Sequence, residues 1–386
     1  MKKRALLSFT GDIMCQKDQL SACRISGGFD FDAVFEPAEE ALAASDFLIG
    51  NLETPLAGKE AGYTGELYSF NTPDEFARTL GKFGFDLVST ANNHCLDRGV
   101  EGLKRTLNAL DRADVAHTGT ARSWAERDRP FLRDINGIRT AFCSFTYGTN
   151  AFANGNFLTQ EEQFAVNLLQ PQETLPGAIH LLEPLESIAG QMRRNRTGAA
   201  ASPQLDRLRS DIQSCRSAGA DFVIVLMHCG GQYNPLPDPY TEFIVGRLRA
   251  FGADMIVGNH PHVVQRAELG SAPIFYSLGN FCCTPGESPG SRENPVSATS
   301  LLLTVGLEKD ENGTRPVSVQ VRAVRSILRE NGTAVTMPVA DLLKSETDPA
   351  KRKQYADGLR LVLNAFLGRP PGTAVEIRDA YFVPVS

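Results

Sequence analysis

No stretch of this 386-residue chain approaches the roughly 18–20 consecutive apolar residues that a membrane-spanning helix needs. The N-terminal Met1-Lys2-Lys3-Arg4 has the charge of a signal-peptide n-region. However, Ala5–Thr10 is too short for an apolar h-region, and no small-residue cleavage site follows. That segment reads as a first strand, and a cytoplasmic protein with no membrane span is expected. Basic charge is not in excess, since 39 Lys and Arg face 45 Asp and Glu for a net charge of -6. The chain therefore lacks the global basic footprint of a nucleic-acid or anionic-membrane binder. The absence of a basic aromatic stripe also counts against a nuclease. None of the 8 cysteines forms a CxxC pair, which argues against a thiolate zinc site or a thioredoxin motif. Cys15, Cys95, Cys229, Cys282 and Cys283 lie in or beside the motifs below and read as small buried hydrophobes. No internal repeat or low-complexity tract is present.

What the chain does have is an ordinary globular composition, 42% hydrophobic and 22% charged, with length enough for a substantial core. Strand and helix signals alternate. Leu6–Thr10, Phe47–Ile49, Phe85–Thr90, Ile138–Phe145, Phe222–Met227, Met255–Val257 and Ile274–Leu278 read as strands. Phe31–Ala44, Pro73–Phe83, Val100–Arg112, Leu205–Ala218 and Tyr240–Phe251 read as helices. The alternation breaks over residues 147–203, rich in Gly, Asn, Gln and Pro. This is read as an insertion that is either a lid over the site or a surface excursion. After Pro295, Leu301–Leu307 and Pro316–Leu328 alternate like antiparallel strands, and Asp348–Leu367 is a charged amphipathic helix.

Four of the six histidines sit in Asn-, Gly- or Pro-rich motifs: Asn92-Asn93-His94, His228-Cys229-Gly230-Gly231 and Gly258-Asn259-His260-Pro261-His262. Gly11-Asp12 and Asn51-Leu52-Glu53 precede them. Each polar group directly follows an apolar, strand-like run. Side chains at the carboxyl ends of parallel strands converge on one crevice. Asp, Glu, Asn and His gathered there supply oxygen and imidazole ligands suited to Mn, Fe or Zn. Period-2 alternation points Cys229 away from His228. Asn92 reads as a turn former, and His117 and His180 as surface or capping residues. Asn280 stays ambiguous. The late position of the His-x-His pair argues against an amidohydrolase barrel.

Together the motifs resemble the CapA family of bacterial poly-γ-glutamate capsule synthesis proteins, within the calcineurin-like metallophosphatase fold. The matching stretches are Gly11–Met14, Asn51–Leu56, Ala91–Gly99, Tyr147–Asn150, His228–Gly230, Gly258–Gln265 and Tyr276–Phe281, in family order. The resemblance implies a four-layer α/β sandwich with a C-terminal β extension. One domain would span 1–386, with a core at 5–285, the insertion at 147–203, and strands and a helix over 296–386. It implies metal ligands Asp12, Glu53, Asn93, His228, His260 and His262. His94 would assist the chemistry, with Asp97 and Arg98 beside it. Arg98 and Arg266 are candidate carboxylate or phosphate receivers, or else partners of local acids.

The parent fold has Asp-x-His where this chain has Asp12-Ile13-Met14, and a thioether is a poor ligand for hard divalent ions. The resemblance therefore implies one firm ion site (Glu53, Asn93, His228, His260) and one weaker site (Asp12, Glu53, His262). The expected function is a metal-dependent hydrolase or transferase acting on a phosphoester or glutamyl-type substrate, with one or two divalent ions. The alternative is a non-catalytic accessory protein that binds polymer through a degenerate metal site. Expected partners are an anionic or glutamyl substrate and components of a capsule synthase, with no nucleic acid.

Overall fold

The computed structural model describes residues 2–66, 69–172 and 202–384. Its strands are β1 (Lys3–Ile13), β2 (Arg24–Ile25), β3 (Gly28–Phe29), β4 (Phe47–Leu52), β5 (Leu87–Ser89) and β6 (Ala116–Thr118). They continue with β7 (Phe131–Ile135), β8 (Ile138–Thr146), β9 (Phe222–His228), β10 (Met255–Asn259), β11 (Ala267–Glu268) and β12 (Ile274–Phe275). The last are β13 (Asn280–Cys282), β14 (Thr299–Asp310), β15 (Gly313–Leu328), β16 (Ala334–Pro338) and β17 (Tyr381–Val383). One sheet runs β16-β15-β14-β1-β4-β5-β6, with β13 also beside β1 and β17 beside β15. The second runs β11-β12-β10-β9-β8-β7. The strands that lead into the polar motifs are parallel within each sheet.

Alternation along the strands builds the layers. Ala5, Leu7 and Phe9 of β1 face Phe142, Ile224, Leu226 and Val257 of the second sheet, so the main core lies between the sheets. The outer face of the first sheet presents Ile13, Leu48 and Val88 to Phe35, Phe76, Leu80 and Leu110 of its covering helices. The outer face of the second presents Val223, Val225 and Ile256 to Leu208, Ile212, Ile244 and Leu248 of the helices Pro203–Ser217 and Pro239–Phe251. Helix, sheet, sheet, helix is the expected four-layer α/β sandwich. Coverage on both faces explains why β9 reads as an unbroken apolar run. Ser202, Asp238 and Asp348 cap their helices from the side chain, each with Pro in the first turn.

Three features differ from the sequence expectation. Phe31–Ala44 forms two short helices, Asp32–Phe35 and Glu39–Leu42, joined by a 3₁₀ turn. Pro37, which has no N–H, interrupts the ladder, yet Val34, Phe35, Ala38 and Leu42 remain buried. The strand expected over Ile274–Leu278 stops at Phe275, and β6, β7 and β13 carry too short or too mixed a pattern to be read. The C-terminal strands are no appendage, because β14 pairs with β1 from Lys3↔Lys309 to Phe9↔Leu303. They complete the sheet that bears Asp12. The helix Pro349–Phe366 packs into the same interior, Phe366 stacking on Phe275.

Residues 173–201 of the insertion, with His180, lie outside the described residues. The described part folds back on the core, with Leu169 N–H bonding Thr146 O and the Asn156 amide bonding Leu96 O. Among the described residues no helix is long and apolar enough to cross a membrane.

Gly258 of β10 lies against the chain that follows β12, where an added Cβ would fall 2.1 Å from Tyr276 O. Gly258→Ala is expected to lower stability by about 1–3 kcal/mol, read as a lower urea midpoint at unchanged slope. An unchanged midpoint would mean that this close approach does not exist.

Candidate metal centre

The polar motifs meet because the strands that carry them end together. β1 holds Asp12, β4 runs into Glu53, β5 into Asn92-Asn93-His94, β9 ends at His228, and β10 leads into His260-Pro261-His262. Register sets the neighbours: Asp12 pairs with Asn51 and with Asn280, and His228 with Asn259. Asp12, Glu53, Asn93, His94, His228, His260 and His262 are all buried.

Two sets of donors form. Glu53, His228 and His260 bring their ligand atoms within 4.8 Å of one another, and so do Asp12, Glu53 and His262. The Asn93 Oδ1 lies 2.7 Å from His228 Nε2 and joins the first set. His260 Nδ1 stands 3.1 Å, and Glu53 Oε1 3.5 Å, from the same nitrogen. In the second set, His262 Nδ1 lies 3.3 Å from Asp12 Oδ2 and His262 Nε2 lies 4.0 Å from Glu53 Oε1. Glu53 belongs to both sets. His260 and His262 adopt left-handed backbone, φ 101° and 57°. The turn is held by His260 N–H donating to Asp12 Oδ2 and Tyr233 N–H donating to Pro261 O.

The donors fit a cation on charge as well as on geometry. Among the described residues, the ion-pair partners of Asp12 and Glu53 are histidines, with no Lys or Arg. Neither Glu53 oxygen has a hydrogen-bond partner among them, although both are buried. An uncompensated buried carboxylate is strongly unfavourable. The chain compensates in part through His262: burial opposes its charged form, but Glu53 and Asp12 prevail and raise it to about 9. Burial likewise opposes the Asp12 anion, but hydrogen bonding from His262 and the nearby His228 hold its carboxyl below the ordinary value. A divalent ion would supply the charge that these imidazoles supply only partly.

His94 stands apart from both donor sets. Its Nδ1 lies 2.7 Å from Asp97 Oδ2, which also accepts from Phe70 N–H, and the Phe70 ring packs on the imidazole at 4.3 Å. Burial disfavours the imidazolium, but Asp97 outweighs it and raises the His94 pKa. Asn92 bonds Leu52 O and the His94 N–H, so it shapes the turn. The Arg98 guanidinium is engaged by Ser69 and by the carbonyls of Ala61, Gly62 and Asp97, which ties down the neighbouring loop. Arg266 pairs with Glu242 and lies over the Tyr276 ring, away from the donors. Met14 packs in a small apolar cluster with Phe70 and Cys283 rather than among them. Cys229 faces the outer core of the second sheet, opposite to His228.

Sequence reasoning left several supports unassigned. Asn51 Nδ2 donates to Asp12 Oδ1 at 2.7 Å and lies 3.2 Å from His228 Nδ1. Its two-residue spacing from Glu53 was the available signal. Asn280 Oδ1 lies 2.8 Å from His262 Nδ1, and its Nδ2 donates to Ser297 O. The Tyr147 ring lies 4.7 Å from His260, and the Tyr233 ring 5.7 Å from His262.

Known proteins resemble this chain in sequence. Capsule biosynthesis protein CapA of Bacillus anthracis is 26% identical over 326 residues, covering 82% of this chain and 70% of that protein. PGA biosynthesis protein CapA of Bacillus subtilis (strain 168) is 28% identical over 283 residues, covering 72% of this chain and 63% of the relative. An uncharacterized protein of Sinorhizobium fredii, y4sH, is 28% identical over 282 residues, covering 64% of this chain and 61% of its own length. The chain thus spans less than two thirds of the latter two relatives. TT1561 of Thermus thermophilus, a solved structure, aligns with TM-score 0.36 at 10% identity over 77% of this chain and 93% of its own. The family model described as bacterial capsule synthesis protein PGA_cap matches residues 6–284, a span that holds every donor above, and the chain belongs to that family.

Proposed function

We propose that the chain is a metal-dependent hydrolase or transferase acting on a phosphoester or glutamyl-type substrate. The observation that supports this reading is the pair of buried donor sets sharing a Glu53 carboxylate that no hydrogen bond satisfies among the described residues. Glu53, Asn93, His228 and His260 would hold one ion, and Asp12, Glu53 and His262 a second. One or two divalent ions, Mn, Fe or Zn, would polarise the scissile group and lower the pKa of bound water toward neutrality.

The protein's own part is orientation and proton handling. Asn280 accepts from His262 Nδ1–H, which directs Nε2 toward Glu53. Asp97 accepts from His94 Nδ1–H in the same way, so Nε2 is the atom left to hold or deliver a proton. The Asp97 carboxylate stabilises the imidazolium, which suits His94 to protonate a leaving oxygen or nitrogen. Phe70 against His94 and Tyr147 against His260 exclude water from these rings. Family membership favours a carboxylate-rich, glutamyl substrate and capsule-synthase components as partners.

A second reading, a non-catalytic accessory that binds a glutamyl polymer, is favoured by one observation. Met14, at the position where the family resemblance implies a histidine, is packed among apolar neighbours.

Metal analysis of the full chain purified without chelator separates the readings. One to two equivalents, removable by EDTA, are expected, whereas no metal even after reloading would favour the accessory role. His228→Ala is expected to lose metal and activity together, and stoichiometric metal retained in that variant would remove His228 from the donor set. His94→Asn is expected to keep its metal and lose about 10²–10⁴-fold in kcat. An unchanged kcat would take His94 out of the chemistry.

A further inference from the structure

Cys143 and Cys215 are 72 residues apart in sequence, yet their sulfurs stand 3.4 Å apart. Two periodicities place the cysteines on facing surfaces, and packing of the helix on the sheet brings them together. Ala141, Cys143 and Phe145 alternate onto the outer face of the second sheet, and Leu205, Leu208, Ile212 and Cys215 recur at helical spacing on the helix that covers it. Among the described residues no other pair of thiols is hydrogen-bonded, although all eight cysteines are reduced and buried. A disulfide needs sulfurs at about 2.05 Å, so the two sulfurs must close the remaining gap across an existing contact.

A small cavity lies beside the pair. Both cysteines border a cavity of about 40 Å³, which can hold a molecule near the size of water. That cavity shares Thr118, Arg127, Arg129, Phe131 and Asn167 with an open groove of about 360 Å³ between the sheet edges β6 and β7. Arg127, held by Asp211 at 2.7 Å, forms part of the shared wall. The thiols themselves are unequal. Hydrogen bonding from Cys143 holds the Cys215 thiol below its ordinary value, against burial and Asp211, and Arg216 adds to the effect.

We propose that Cys143 and Cys215 are a reversible redox pair that a small peroxide converts to a disulfide, pinning the helix Pro203–Ser217 to β8. The Cys215 thiolate attacks one oxygen of hydrogen peroxide. The O–O bond breaks, hydroxide leaves and takes up the thiol's proton as water, and Cys215 becomes a sulfenic acid. The Cys143 sulfur then attacks the Cys215 sulfur. The S–O bond breaks, and the departing hydroxide takes the Cys143 proton as a second water. Two thiols are oxidised by two electrons and one peroxide is reduced. The cross-link would fix the strand that continues into Tyr147, whose ring lies against His260. The inference is independent of the metal centre.

The test uses the full chain, reduced, desalted, treated with hydrogen peroxide at neutral pH, alkylated and mapped by mass spectrometry without reductant. The expected result is a loss of about 2 Da, the two thiol hydrogens, located in one cross-linked peptide pair containing Cys143 and Cys215 and reversed by dithiothreitol. Cys143→Ser is expected to stop at a sulfenic acid on Cys215 that dimedone traps. Should that variant not fold, the wild-type map alone decides. A folded wild-type protein in which both thiols stay free, or in which cross-links scatter among the eight cysteines, would overturn the proposal.

Discussion

The Asp12 carboxylate is a buried charge through which the two sheets make polar contact. One oxygen accepts from Asn51 at the end of β4, within its own sheet. The other accepts the His260 N–H and lies 3.3 Å from His262, both on the turn that follows β10 of the other sheet. An ionised carboxylate in this position is tolerable only because several donors face it at once. Those donors are the groups that fix the His-x-His turn in its left-handed backbone. One buried charge thereby sets the distance between strand ends from separate sheets, and with it the spacing of the donor sets.

The rest of the architecture holds that charge in place. Packing between the sheets fixes the strand directions, and β14, paired along β1 from Lys3 to Phe9, removes what would otherwise be an open edge of the strand that bears Asp12. β13 then lies parallel to β1 only at its end, so Asn280 arrives next to Asp12 and can accept from His262. His94 is handled separately, by Asp97 and the Phe70 ring. The segregation matters physically. Imidazoles close to the carboxylates are bound up in balancing charge, whereas one beside its own aspartate keeps a defined tautomer and a proton to exchange.

Residue type and position alone made the convergence of the polar motifs legible, and the family resemblance supplied the ligand roles. Asp12, Glu53, Asn93, His228, His260 and His262 each follow an apolar run, and such runs become adjacent parallel strands whose carboxyl ends share a crevice. The long helices were legible from their apolar spacing and caps, whereas the Phe31–Ala44 segment was not, because Pro37 breaks a helix without changing which residues are buried. β13 was hidden because three residues carry no usable period. For Arg98 the sequence left ligand reception and local pairing both open, and its guanidinium is held by a local loop.

The sequence by itself determined the chemistry available: carboxylates, an amide and imidazoles at strand ends, no thiolate cluster and no excess of basic charge. Those are properties of residue type and short-range period, which local physics fixes. The division of the donors into two sets that share Glu53 came from the family resemblance, and the tertiary structure brings those donors within reach of one another and alone places Asn280 on His262. It alone brought Cys143 to Cys215. Each of these depends on register and on the packing of a helix or sheet against another element. Such contacts join residues far apart in the chain, and no local pattern specifies them.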